Sequence, residues 1–142
     1  MLFRSQPRVC ANTATAWLER FTDAAAIRRD ADATAALVAD DLVVIDGPNG
    51  AEYDHRQFVD STRSILAANE GGWRNDVLAS LGESLALVRS IVAFSPDDTY
   101  GPFGAAEVER ISLLEVAGHR RARRIEVFAR ERLNEPDRKS VV

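Results

Sequence analysis

The sequence predicts an α+β domain in which helices pack on one face of a curved, mostly antiparallel sheet. Three observations carry that prediction. Helical periodicity is confined to the first half of the chain, the second half reads as long β runs separated by turn residues, and one of those runs is apolar on both faces. The element order read from the residues is ααβ(β)αβββ.

Ala14 to Arg29 carries Trp17, Leu18, Phe21, Ala25 and Ile27 at spacings near three and four, with charged residues between them, which makes an amphipathic helix. A second short helix is expected from Asp32 or Ala33 to Ala39, with Asp32 as its N-cap. Leu42-Val43-Val44-Ile45 is a β-branched run closed by the turn Asp46-Gly47-Pro48-Asn49-Gly50. Asp54 followed by Gln57 is a capping box, opening a helix whose stripe is Phe58, Val59, Thr62, Ile65 and Leu66 and which Gly71-Gly72 ends. Strands follow at Trp73 to Leu81, Ser84 to Phe94, Ala106 to Val116 and Arg124 to Ala129, with a loop containing Pro96, Gly101, Pro102 and Gly104. Leu85, Leu87 and Ile91 alternate with Ala86, Val88 and Val92, so Ser84 to Phe94 belongs at the centre of the sheet.

The 142 residues, 46% apolar and 28% charged, suit one globular domain with a real core. The single cysteine, Cys10, excludes a disulfide framework and a zinc finger. A net charge of −4 argues against a nucleic-acid or anionic-membrane surface, and no apolar run approaches the roughly 20 residues of a membrane span. Arg120-Arg121-Ala122-Arg123-Arg124 is too short and too bare of aromatics for a nucleic-acid platform, and reads as a solvated turn. Such an acidic domain is compatible with the cytoplasm.

Both ends of the chain carry a different signal. Leu2-Phe3-Arg4-Ser5 reads back through the genetic code as CTC TTC CGA TCT, and Asp137 to Val142 as GAT CGG AAG AGC GTC GTG, the inner ends of common sequencing-library adaptors. Lys139, the only lysine, falls in the second segment, while every other basic residue is arginine. The expectation is one domain over residues 6–136 flanked by adaptor-derived tails at 1–5 and 137–142. Without the tails the net charge becomes −6.

The run Leu37 to Asp46, the capped helix from Asp54, and the strands Glu107 to Val116 and Arg124 to Phe128 resemble the nuclear transport factor 2-like superfamily, which includes SnoaL-like polyketide cyclases and ketosteroid isomerases. Asp54-His55-Arg56, Leu85 to Arg89, Gly101-Pro102-Phe103 and Glu107-Val108-Glu109 are similar to domains that follow the ATPase and helical-repeat parts of large bacterial regulators. The resemblance implies a conical half-barrel with a pocket between sheet and helices, a small apolar ligand, and a homodimer formed through the sheet. It implies no cofactor.

Asp46 lies where the resemblance places the isomerase's proton-shuttling carboxylate, and a desolvated aspartate at a pocket mouth is suited to general-base work. The competing reading is that Asp46 accepts N–H bonds inside its own Asp-Gly-Pro-Asn-Gly turn. The isomerase's oxyanion partners are missing, since the first helix has Trp17 and no tyrosine, and the late strand near Ile111 is apolar. Arg89 and Glu109 fall opposite one another if the hairpin centres near Thr99. Such a pair either orients a substrate, as arginine–acid pairs do in epoxide hydrolases of this fold with Glu126 as the further acid, or is a cross-strand ion pair. Trp17, Phe21, Phe58, Trp73 and Phe128 are expected in the core or pocket wall. His55 and His119 lack partners at metal-ligand spacing, so no metal site is expected. These residues point to a ligand-binding or association domain without catalysis. The alternatives are a small isomerase, cyclase or hydrolase based on Asp46, and a dimerisation module with a filled cavity.

Overall fold

The computed structural model describes residues 9–68, 72–94 and 106–133. Both expected tails, Gly71 and the Pro96 to Gly104 loop with its Gly101-Pro102-Phe103 motif lie outside the described residues. Helix α1 (Thr13–Thr22) runs into a single π-helical turn, Asp23–Ile27, and is followed by α2 (Ala31–Ala35), β1 (Val38–Asp46), β2 (Ala51–Asp54), α3 (His55–Ala68), β3 (Trp73–Leu81), β4 (Leu85–Phe94), β5 (Ala106–Val116) and β6 (Ala122–Leu133). The strands form one curved, unclosed sheet in the order β2-β1-β6-β5-β4-β3. All neighbours are antiparallel except β1 and β6, which pair in parallel and make the sheet mixed. As expected, β4 is an interior strand, lying between β3 and β5.

Several boundaries differ from the sequence reading, each for a local reason. The long first helix becomes α1 plus the π turn, where Arg28 N–H reaches back five residues to Asp23 O at 2.9 Å. The cap of α2 is Asp30, whose side chain accepts from Asp32 N and Ala33 N, so the helix starts earlier and ends at Ala35. Residues 38–41, read as helix and helix end, open β1 instead. An irregularity between Val38 and Val43 leaves Asp40 and Asp41 exposed while Val38, Ala39 and Leu42 stay buried.

One layer of helices covers the concave face. Asn12 and Thr15 close a capping box, and Asn12 Nδ2 donates to Gly82 O (3.1 Å) and Leu85 O (3.0 Å), which pins the start of α1 to the β3–β4 turn. Trp17 stacks on Phe21 with ring centroids 4.9 Å apart, and its Nε1 donates to Leu37 O at 2.6 Å. The indole is therefore buried with its polar atom satisfied. At the head of α3, Asp54 N donates to Gln57 Oε1 and Gln57 N to Asp54 Oδ1, both at 2.9 Å, which is the capping box read from the sequence. No helix among the described residues is long and apolar enough to cross a membrane.

Candidate active site and ligand cavity

Between α1, α3 and the concave face lies a cavity of about 830 Å³. The alternation of each strand decides what lines it. Val88, Ser90 and Val92 come from β4, Val108, Arg110, Ser112 and Leu114 from β5, Ile125, Val127 and Arg130 from β6, and Val44 and Asp46 from β1. Trp17, Leu18 and Phe21 close one side from α1, and Gln57, Phe58, Asp60 and Ile65 close another from α3. Phe21 meets the edge of Trp73 at a centroid distance of 5.5 Å and lies 6.3 Å from Phe58. Trp73 Nε1 is buried and has no acceptor among the described residues.

Asp46 is 1% exposed and ends β1 at the cavity wall. Its oxygens are engaged from two sides. Asn49 N donates to Oδ1 at 3.3 Å, Asn49 Nδ2 donates to Oδ2 at 3.1 Å, and Arg130 Nη2 donates to Oδ2 in a charge-assisted bond. Asp46 therefore accepts the turn N–H and also faces the cavity. The turn itself is held by Gly47 N–H donating to Val127 O at 2.9 Å. A Cβ on Gly47 would stand 2.9 Å from that same carbonyl oxygen, so the close approach of β1 and β6 requires glycine here.

Arg130 reaches Asp46 because β6 contains a bulge. Ser112 pairs with Val127 and Ile111 with Ala129, leaving Phe128 as the extra residue. Unbroken alternation after Ile125 and Val127 would turn Ala129 inward and Arg130 outward. The bulge reverses that phase, and Arg130 comes to lie across from Arg110 on the cavity face.

Other expected site residues lie elsewhere. Arg89 and Glu109 do pair, with Nε donating to Oε2 at 2.5 Å, but on the outer face. The hairpin register places Arg89 opposite Ile111 and Glu109 opposite Ile91, so the pair is diagonal. Val88, Ser90, Val108 and Arg110, their neighbours in sequence, take the cavity face. A pocket role for Arg89 and Glu109 is thus corrected by strand phase. Glu126 is likewise outside the cavity lining, 3.6 Å from Arg124. Of the five aromatics expected in the core or wall, Trp17, Phe21, Phe58 and Trp73 line the cavity, whereas Phe128, the extra residue of the bulge, is outside the lining and 52% exposed. Tyr53, Arg110 and Arg130, which also line the cavity, are not anticipated from sequence, nor is the bond from the Asn49 side chain to Asp46. Arg110 is legible in retrospect from its phase with Val108 and Leu114, while Arg130 is hidden by the bulge.

No family model matches the chain, and no curated protein matches it. Solved structures do. A Mycobacterium tuberculosis protein in complex with estradiol-17beta-hemisuccinate aligns with a TM-score of 0.64 at 15% identity, over 84% of this chain and 95% of that one. A steroid delta-isomerase from Pseudomonas aeruginosa aligns with a TM-score of 0.61 at 14% identity, over 89% and 84%. A protein from Xanthomonas campestris assigned as a polyketide cyclase aligns with a TM-score of 0.59 at 15% identity, over 82% and 90%. At these identities the likeness is one of fold.

Proposed function

Taking this chain as a protein with the nuclear transport factor 2-like fold, we propose that it binds a small, largely apolar molecule in the cavity and does not use Asp46 for proton transfer. The observation that carries this reading is the pairing of a cavity of about 830 Å³, within the range of ligand pockets, with a wall carboxylate already engaged by Asn49 and Arg130. A general base needs a free lone pair within reach of the substrate proton. Arg130 and the Asn49 side chain both donate to Oδ2, and the Asn49 N–H donates to Oδ1. The steroid named for one of the similar structures supports a polycyclic or comparably bulky guest.

The test is thermal denaturation with estradiol, progesterone and a polyketide-derived anthraquinone. A guest that binds only the folded form adds about 2.7 kcal/mol at one hundred times its Kd, which raises Tm by several degrees. No shift with any compound overturns the binding reading in favour of an association module. In parallel, a β,γ-unsaturated steroid ketone is incubated with wild type and Asp46→Asn. The expected result is equal, background isomerisation, and turnover lost only in the variant would restore Asp46 as the base.

We also propose that the outer face of the sheet is covered by a second copy of the chain. Phe128, Leu78 (40% exposed) and Leu81 (47% exposed) stand on that side, with Ile111 and Leu113 on the strand between them. The expected domain over residues 6–136, an attachment to a larger regulator and a cytoplasmic setting belong to the same proposal. A long sequencing read through the source locus tests the first two.

A further inference from the structure

Two buried hydroxyl groups line the cavity, Ser112 from β5 in the sheet and Thr62 from α3 in the helix layer. Thr62 is 3% exposed and Ser112 is 9% exposed. Neither hydroxyl has a hydrogen-bond partner among the described residues. Trp73 Nε1 is unpaired as well, but it is closed off inside the wall, whereas the two hydroxyls open on to the cavity. Ser112 pairs with Val88 of β4 and Val127 of β6, and Leu114 follows it on the same face, so its hydroxyl stands out from an apolar stretch of sheet. Thr62 lies about one helical turn from Phe58 and from Ile65, which also line the cavity.

A hydroxyl carries one donor and two acceptor lone pairs, and a serine or threonine can spend them on its own backbone, as Thr34 does by donating to Ala31 O at 2.7 Å. Ser112 and Thr62 do not, so their bonding capacity is directed at whatever fills the cavity. Water can meet such a group in a roomy cavity. An apolar guest that displaces the water without replacing its bonds strands a buried hydroxyl, and that loss is subtracted from the guest's affinity. A guest with an oxygen at the same point keeps the bond. A charged head is disfavoured beside Ser112, because one hydroxyl does not replace the hydration that a charge loses on burial.

We propose that Ser112 is the polar anchor of the cavity, and that the guest is an apolar molecule bearing an uncharged carbonyl or hydroxyl oxygen, held by a hydrogen bond from Ser112 Oγ. Thr62 is the weaker, second contact from the helix side. Ser112 takes the leading role because β5 is an interior strand, held on both sides by its neighbours. The proposal rests on the ligand-binding reading above and adds the residue that distinguishes oxygen-bearing guests from bare hydrocarbons.

The experiment compares 1-acetylpyrene with 1-ethylpyrene, which share one fluorescent apolar body and differ by a carbonyl oxygen. Fluorescence titrations are made on wild type, Ser112→Ala and Thr62→Val, with Tm measured for each free protein. Ser112→Ala should weaken the ketone by about three- to tenfold, the worth of one neutral hydrogen bond, and leave 1-ethylpyrene within about twofold. Its Tm should equal or exceed that of wild type, because removing an unpaired hydroxyl orphans no partner. Thr62→Val should weaken the ketone less than Ser112→Ala does, and the reverse order overturns Ser112 as the anchor. Unchanged ketone affinity in Ser112→Ala overturns the anchor and leaves the apolar-cavity reading standing. Equal weakening of both compounds, or a Tm lowered by several degrees, gives Ser112 a packing role and overturns the proposal likewise. Failure of the ketone to bind wild type overturns the proposal, and if the larger guests also give no thermal shift, the cavity reading falls with it.

Discussion

Asp46 and Arg130 are separated by most of the chain, yet each determines what the other does at the cavity wall. The Asp46 side chain is 2% exposed and the Arg130 side chain 35%. Removing the arginine alone leaves a carboxylate in the wall with only Asn49 to solvate it. Arg130→Met should therefore cost about 2–3 kcal/mol, below the range for fully buried pairs because Arg130 is partly solvated. Asp46→Asn/Arg130→Met should recover much of the loss. Urea denaturation of both single variants and the double variant measures this, and strictly additive effects would show that the two side chains are not coupled. Gly47→Ala is expected to cost about 1–3 kcal/mol, because the added methyl collides with the Val127 carbonyl oxygen and not with a movable side chain.

At the scale of elements, the α3 capping box and the β6 bulge show what a sequence discloses and what it conceals. Asp54 and Gln57 are three residues apart, and their two reciprocal bonds need nothing from the rest of the fold. Asp54→Ala should lower stability by about 1 kcal/mol with an unchanged urea m value. The strands β3 and β5 were equally legible, because alternation and turn residues are local signals. The start of β1 was misread because Ala35 to Ala39 has helical composition, while its β state is imposed by pairing with Ala122 of β6. Arg130 was missed for a related reason, since one extra residue reverses strand phase and local propensity does not announce it. The pairing of Arg89 with Glu109 was anticipated, but their face was not, because which side of a sheet is concave depends on where the helices dock. Deleting Phe128 should leave Val127 opposite Ser112 and Arg130 opposite Arg110 in a regular ladder. The deletion variant should then retain the Asp46–Arg130 coupling in the same double-mutant cycle, and its loss would mean that the bend of the bulge is itself required.

For the whole molecule, the sheet has two dissimilar faces, one hollowed against the helices and one bearing Phe128, Ile111 and Leu113 beside the Arg89–Glu109 ion pair. Sedimentation velocity should show wild type as a dimer and Phe128→Glu as a monomer with a similar Tm. A monomeric wild type would leave the outer face without the proposed partner. The parallel pairing of β1 with β6 has a temporal consequence. Val44 lies beside Ile125, some eighty residues later in the chain, so the hairpin of β1 and β2 has no interior neighbour until β6 has been synthesised. Closing so long a loop is slow relative to forming the β3–β4 hairpin. On the ribosome, the β3-to-β5 meander is therefore expected to assemble first, and Asp46 waits beside an unfilled edge until Arg130 emerges. Among the described elements, the wall that joins Asp46 to Arg130 is thus the last to close, and a nascent chain arrested before β6 would lack the cavity's Ile125, Val127 and Arg130 lining.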